Sequence, residues 1–120
     1  MLPCPSCGGS LAVAARGPAE HWACARCGGR AFTLGRMRRA FPGPFFDGVR
    51  AAMAAGGWRG TRRCPLCTMH LVGSRVEHRG ATYVLDHCDR CRLVWFDRGE
   101  HEAARGRAPA PPPPDPVRLP

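Results

Sequence analysis

The chain has 120 residues and a formal net charge of +9, which leaves room for one small domain or two very small ones. No apolar stretch approaches the length that spans a bilayer, and residues 1–20, which hold Pro3, Cys4, Pro5, Gly8 and Gly9, lack the basic start and apolar run of a secretory leader. A cytoplasmic, reducing location is expected, with no membrane partner, and because all 18 cationic side chains are arginine, in a composition that points to GC-rich coding, the basic balance is a weak sign of nucleic acid.

Eight cysteines form four Cys-x-x-Cys pairs with none left over. Cys4 and Cys7 open the chain, and Pro5 and Gly8 suit a tight knuckle around their thiolates. Residues 11–14 and 21–23 read as strands, and Cys24 with Cys27 closes the first group. A short helix is predicted over 34–41, capped by Thr33, with Leu34, Met37 and Phe41 on one face and Arg36, Arg38 and Arg39 mainly off it. A second helix is predicted over 44–55, with Pro44 in its first turn, an apolar stripe of Phe45, Phe46, Val49 and Met53, and Gly56-Gly57 ending it. Such a stripe packs against a ribbon or a second copy.

Cys64 and Cys67 begin the second group. Residues 71–73 and 82–85 read as strands, and 76–80 extend the first towards a turn at Arg79-Gly80. Cys88 and Cys91 follow, with Thr68 and Arg92 standing where the first group has Gly8 and Gly28. Asp97 and Glu100 have capping-box spacing, with Asp97 as the N-cap of a third, acidic helix bearing His101 and Glu102. From Gly106 the chain is proline-rich, including residues 111–114, and reads as an extended, disordered tail.

The two groups are copies. Cys24 and Cys27 match Cys88 and Cys91 at an offset of 64, as Phe32 matches Phe96 and Gly35 matches Gly99, while the first pairs match at 60. Repeat two therefore carries four extra residues between its pairs, a change that belongs in a hairpin loop.

Two pairs separated by a hairpin can complete a tetrahedron of sulfurs around one ion. In a reducing compartment the same cysteines do not persist as disulfides, and no alternation of strands and helices supports a thioredoxin-like motif. Tetrahedral thiolates suit zinc or a single iron, and iron carriers of the rubredoxin type are usually acidic. Two zinc ions are therefore expected, one per group, held by Cys4, Cys7, Cys24 and Cys27 and by Cys64, Cys67, Cys88 and Cys91. A rubredoxin-like iron electron carrier is the minor alternative. Each four-thiolate site with a divalent ion carries −2, so two occupied sites bring +9 down to +5. A unit below about 40 residues needs such a staple to fold, and the metal-free chain is expected to be largely unfolded at both sites.

The second group, through Cys64-Pro65-Leu66-Cys67, Leu71, Leu85-Asp86-His87-Cys88-Asp89-Arg90-Cys91 and above all Val94-Trp95-Phe96-Asp97-Arg98-Gly99-Glu100, resembles the bacterial zinc-finger family named for its likeness to the zinc ribbon of transcription factor IIB. The first group resembles it more loosely, through Cys4-Pro5-Ser6-Cys7-Gly8-Gly9-Ser10-Leu11 and Cys24-Ala25-Arg26-Cys27-Gly28-Gly29, and departs from its closing motif. The resemblance implies zinc-binding ribbons with no established reaction. The expected fold is small, metal-stabilised and mainly β: two tandem zinc ribbons, 1–42 and 62–105, each with a C-terminal helix, a helical linker over 43–61, and the tail 106–120.

Four cysteines close a metal's coordination sphere, so no enzymatic activity and no small-molecule substrate are expected. The five histidines, His21, His70, His78, His87 and His101, read as exposed or supporting residues, and no Ser/His/Asp spacing stands out. A protein-interaction adaptor presenting ribbon faces and aromatics such as Trp22, Trp58 or Trp95 is the favoured function, although Trp95 and Phe96 read more readily as ribbon core. The alternative is a nucleic-acid binder, transcription- or RNA-associated, in which Arg36, Arg38 and Arg39, with Arg59, Arg62 and Arg63 beside Trp58, contact phosphates and stack on a base.

Overall fold

Wherever the chain alternates apolar and polar residues it extends, and each cysteine pair bends it back. In the computed structural model, which describes residues 2–106, repeat one comprises β1 (Leu2–Pro3), β2 (Ser10–Ala14), β3 (His21–Cys24), β4 (Arg30–Thr33) and the helix α1 (Leu34–Ala40). Helix α2 (Gly43–Ala55) follows, and repeat two comprises β5 (Trp58–Arg63), β6 (His70–His78), β7 (Ala81–Cys88), β8 (Leu93–Phe96) and α3 (Glu100–Ala104). The proline-rich tail beyond Gly106 lies outside the described residues.

The repeats share one hairpin register. Leu11 opposes Cys24 in the first, and the β6–β7 ladder continues Val72 opposite His87 in the second. The second hairpin turns through Arg79 and Gly80, both at positive φ (52° and 78°), the turn whose twist matches that of paired strands. Its two strands are longer than β2 and β3, which accommodates the four extra residues.

The expectation of separate ribbons joined by a helical linker is corrected by the sheet order, β1-β2-β3-β4-β8-β7-β6-β5, a single eight-stranded curled antiparallel sheet. Its seam is the antiparallel pairing of β4 with β8, equivalent strands of the two copies, and at its middle the equivalent residues Ala31 and Trp95 stand directly opposite each other. A pseudo-two-fold axis passes between them. The physical reason for the merger is that both strands are apolar on both faces: Ala31, Phe32, Leu93, Val94, Trp95 and Phe96 are all buried, and neither strand could be an edge without exposing them.

Helices cover one face of the sheet. Phe32 meets Phe41 and Phe96 edge-on with centroids 5.0 and 5.7 Å apart, and Phe41 stacks on Phe96 at 5.1 Å, geometries that add to plain burial. The apolar stripe of α2 is buried as its spacing predicted, through Phe45, Phe46, Val49 and Met53, with α2 resting chiefly on β6. Thr33 caps α1 by accepting a hydrogen bond from the Arg36 amide at 3.4 Å. The third helix starts later than its capping-box spacing predicted: Gly99, at φ 86°, precedes its first residue. Half of the box survives, since the Asp97 amide donates to Glu100 Oε1 at 2.9 Å, but the Asp97 carboxylate turns away to Arg62 and to the Trp95 indole N–H.

That arrangement makes Glu100 a pH-sensitive group. Burial, with the neighbouring charges of Asp97 and Asp86 and against the Asp97 amide, pushes its carboxyl from an ordinary 4.5 up to about 7. The folded state thus holds a proton that the unfolded chain releases, so the stability tied to that proton is full below about pH 4.5 and is lost as pH rises through 7. Glu100→Gln keeps an oxygen for the Asp97 amide and removes the charge. The difference in melting temperature between the variant and the parent is expected to be near zero close to pH 4.5, to grow with pH and to level off above about 7; a difference that shrinks with pH would refute the assignment.

Candidate metal centres

The other face of the sheet carries the cysteines. Its core consists of Cys4, Leu11, Cys24, Ala31, Cys64, Leu71, Cys88, Leu93 and Trp95, with the remaining cysteines around it. Trp95 is only 1% exposed and belongs with both thiolate clusters in this one apolar patch. The metal centres and the seam are therefore one body of packing.

Each predicted ligand set converges. Cys4, Cys7, Cys24 and Cys27 form one group and Cys64, Cys67, Cys88 and Cys91 the other, with the sulfurs of each group all within 4.8 Å of one another. The shorter separations are 3.6 Å for Cys4 and Cys27, 3.5 Å for Cys7 and Cys24, and 3.6 Å for Cys67 and Cys88. A tetrahedron with metal–sulfur bonds of about 2.3 Å has edges of about 3.8 Å, whereas a disulfide needs about 2.05 Å. The groups could each hold a metal ion, and their spacing is not that of disulfides.

The knuckles aim backbone donors at the sulfurs. The amides of Ser6 and Cys7 point at Cys4 Sγ, that of Gly9 at Cys7, that of Leu66 at Cys64, and that of Cys91 at Cys88, all at 3.4 or 3.5 Å. Burial opposes the ionisation of Cys24, but the amides of Cys27 and Arg26 and the neighbouring thiols bring it down to about 7, while burial and the crowding of Cys4 and Cys24 push Cys27 up to about 12. Burial likewise pushes Cys64 up to about 12. Four thiolates this close cannot all ionise unless a cation shares the site, which is the electrostatic case for metal.

One residue in each knuckle, two per repeat, adopts a left-handed conformation. Repeat one uses Gly8 (φ 77°) and Gly28 (φ 80°), and repeat two uses Thr68 (φ 64°) and Arg92 (φ 56°). A β-branched residue is strained there, so Thr68→Gly is expected to stabilise the metal-loaded protein by about 0.5–1 kcal/mol after the entropy cost of glycine. Urea denaturation of the loaded protein checks this.

The residues nominated for nucleic-acid contact are not brought together. Arg36, Arg38 and Arg39 ride on α1 over repeat one, and Trp58, Arg59, Arg62 and Arg63 on β5 at the far edge of repeat two. Arg36 donates to the Gly17 carbonyl and pairs with Glu20 at 3.1 Å. Arg38 lies over the Phe46 ring. Arg62 bridges Asp86 at 3.1 Å and Asp97 at 2.9 Å, and Arg63 donates to the Thr68 carbonyl. Trp58 is 45% exposed.

A hydrogen-bonded chain that the sequence reading did not single out runs from Ser74 Oγ to His87 Nε2 at 2.8 Å and from His87 Nδ1 to Asp89 at 2.9 Å. Its connectivity is that of a serine hydrolase triad, but Ser74 and His87 are 3% and 2% exposed, and the backbone at Gly57 comes so close to Ser74 that a methyl group there would touch its hydroxyl. The hydroxyl lies beneath the Gly57 backbone, and the hydrogen bonds tie β6 to the Cys88 knuckle. The residues are 13 and 2 positions apart, and only strand pairing unites them, so the spacing carried no signal. Among the described residues no helix is long and apolar enough to cross a membrane. No family model, no curated protein and no solved structure matches the chain.

Proposed function

We propose that the chain is a non-enzymatic zinc protein, a divergent tandem member of the zinc-ribbon family that its second repeat resembles, and that it acts as a protein-interaction adaptor. The observation that carries the reading is the distribution of its exposed groups. The arginines fall into two sets on different repeats, and four of the six nominated for phosphate contact engage groups of the chain itself, whereas Val13, Trp58, Leu66, Met69 and Val84 present apolar side chains to solvent. Such side chains serve protein contacts better than phosphate contacts. Zinc fits the four-sulfur sites as a closed structural ion, supplying cross-linking rather than a reactive position.

Metal analysis of the purified protein should return two zinc ions per chain and no visible absorption from thiolate-bound iron. Anisotropy with labelled single-stranded and duplex DNA and RNA, at roughly 50 and 200 mM salt, should show no binding even at the lower concentration. Tight binding that weakens steeply with salt would replace this reading with the nucleic-acid one.

A further inference from the structure

We infer that the β5 edge is a docking site for an extended acidic peptide segment of a protein partner, an inference that rests on the adaptor reading and gives it a place and a chemistry. The geometry begins with the open edge. Strand β5 is last in the sheet and pairs only with β6, so the backbone N–H and C=O groups on its outer side have no strand partner among the described residues. Strand β1, at the opposite end, is two residues long against six for β5. One edge of the molecule is long enough to accept a strand.

The side chains along that edge have a definite character. Trp58 lies across Gly73, whose missing side chain makes the space, since a methyl group there would collide with the indole. The Arg75 guanidinium sits 5.6 Å from the centre of the Trp58 ring, and Arg75 opposes Val84 in the β6–β7 ladder. Trp58, on the edge strand, and Val84, on β7 two strands further in, are 45% and 47% exposed, and the indole forms an apolar shelf beside the edge. Arg59, Arg63 and Arg75 are exposed, and among the described residues none of them forms an ion pair, in contrast to Arg62, which is neutralised by Asp86 and Asp97. The edge thus offers backbone pairing, an apolar shelf and three unneutralised cations.

Those properties select the occupant. A second copy added edge to edge would set arginine against arginine, which is unfavourable across a strand pair. The register shift between Arg59 and Arg63 further discourages pairing by arbitrary strands. A segment whose alternate residues are acidic and apolar meets Arg59 and Arg63 on one face of the edge with one set and Trp58, flanked by Arg75, on the other face with the second, while its backbone completes the ladder. Nucleic acid could use the same cations and the indole, but it has no use for the open backbone, so it stands as the competing outcome.

The test uses the zinc-loaded full chain and three labelled probes: the peptide acetyl-Glu-Val-Asp-Val-Glu-Val-Asp-amide, the same peptide with lysine at every acidic position, and a twelve-nucleotide oligothymidylate. The acidic peptide is expected to bind, with amide shifts in the NMR spectrum concentrated on β5, and to weaken at least about tenfold in Arg59→Glu/Arg75→Glu. Retention of two zinc ions in that variant establishes that it is folded, and Trp58→Ala, expected to weaken binding without altering charge, is the second variant. Equal binding of the lysine peptide, preferential binding of oligothymidylate, absence of binding, or shifts confined to other strands would each overturn the inference. If a natural protein partner binds the parent and the double-arginine variant equally, the docking site fails while the adaptor reading stands; if oligothymidylate alone binds, both fail.

Discussion

Cys88→Ser is expected to weaken both metal centres, not one. Structural zinc contributes an apparent ~10–16 kcal/mol in small finger peptides, against ~5–15 kcal/mol for the whole stability of a domain, so loss of the second site alone should cost several kcal/mol. Two independent ribbons would confine that loss to repeat two. Here Cys4, Cys24, Cys64, Cys88 and Trp95 line the same apolar patch, and β8, which begins a few residues after Cys88, is the strand that closes repeat one. Loosening the Cys88 knuckle removes the support of β4. The parent with both metals should melt in a single transition, while the variant should melt at a lower temperature and release the remaining zinc to a chromogenic chelator at a lower chelator concentration than the parent does. Two separate transitions, with the first site's affinity unchanged in the variant, would show that the sites are uncoupled. Since zinc binding displaces protons from the thiols, both sites should also weaken as pH falls.

The second large effect lies at the seam. A methyl group added at Gly29 would collide with the six-membered ring of Trp95, whose indole N–H donates to Asp97 at 3.3 Å and whose side chain is almost fully buried. Gly29→Ala forces either the indole or strand β4 to move, in a place where Ala31 and the thiolates leave no slack. We expect a loss of about 1–3 kcal/mol, as for overpacking elsewhere, and Trp95→Ala should cost about 3–5 kcal/mol through the cavity left behind. Combining the two should cost less than the sum, because the methyl group of Gly29→Ala then enters the vacated space. Denaturant midpoints for the four proteins give the coupling directly, and strict additivity would show that Gly29 and Trp95 do not meet.

Much of the local structure was legible beforehand because its causes are local. The cysteine spacings sorted all eight cysteines into the two groups that converge, the 3.6-residue stripe of Phe45, Phe46, Val49 and Met53 marked the buried face of α2, and Arg79-Gly80 marked the tight turn. The sheet junction was not legible. The strand Arg30–Thr33 is short and lies just after a knuckle, and its pairing with β8 across the seam, between residues far apart in sequence, leaves no local signal. Strand β5 was hidden by its own composition: three arginines and a glycine among six residues lack the alternation of a half-buried strand, because an edge with one bulged partner has little to bury. Asp97 illustrates a third kind of miss. Its spacing to Glu100 read as a full capping box with Asp97 as the cap, but only the bond from the Asp97 amide to Glu100 forms, Gly99 precedes the helix, and Arg62, remote in sequence, takes the Asp97 carboxylate in an ion pair.

The second hairpin outgrows the first, and its surplus is where the molecule acquires a direction. Strands β2 and β3 stop at Ala14 and His21, whose counterparts are Ser74 and Leu85, so the residues between Ser74 and Leu85 form a ledge that repeat one lacks. Helix α2 lands on that ledge: Phe45 meets His78 and Tyr83 edge-on at 5.3 and 5.4 Å, and Gly48 faces Val76. A helix lying between two copies of one motif could in principle lean on either. Four added residues settle the matter, so the order of the repeats along the chain is not interchangeable, and a chain with its halves transposed would set the helix against a hairpin that lacks the ledge.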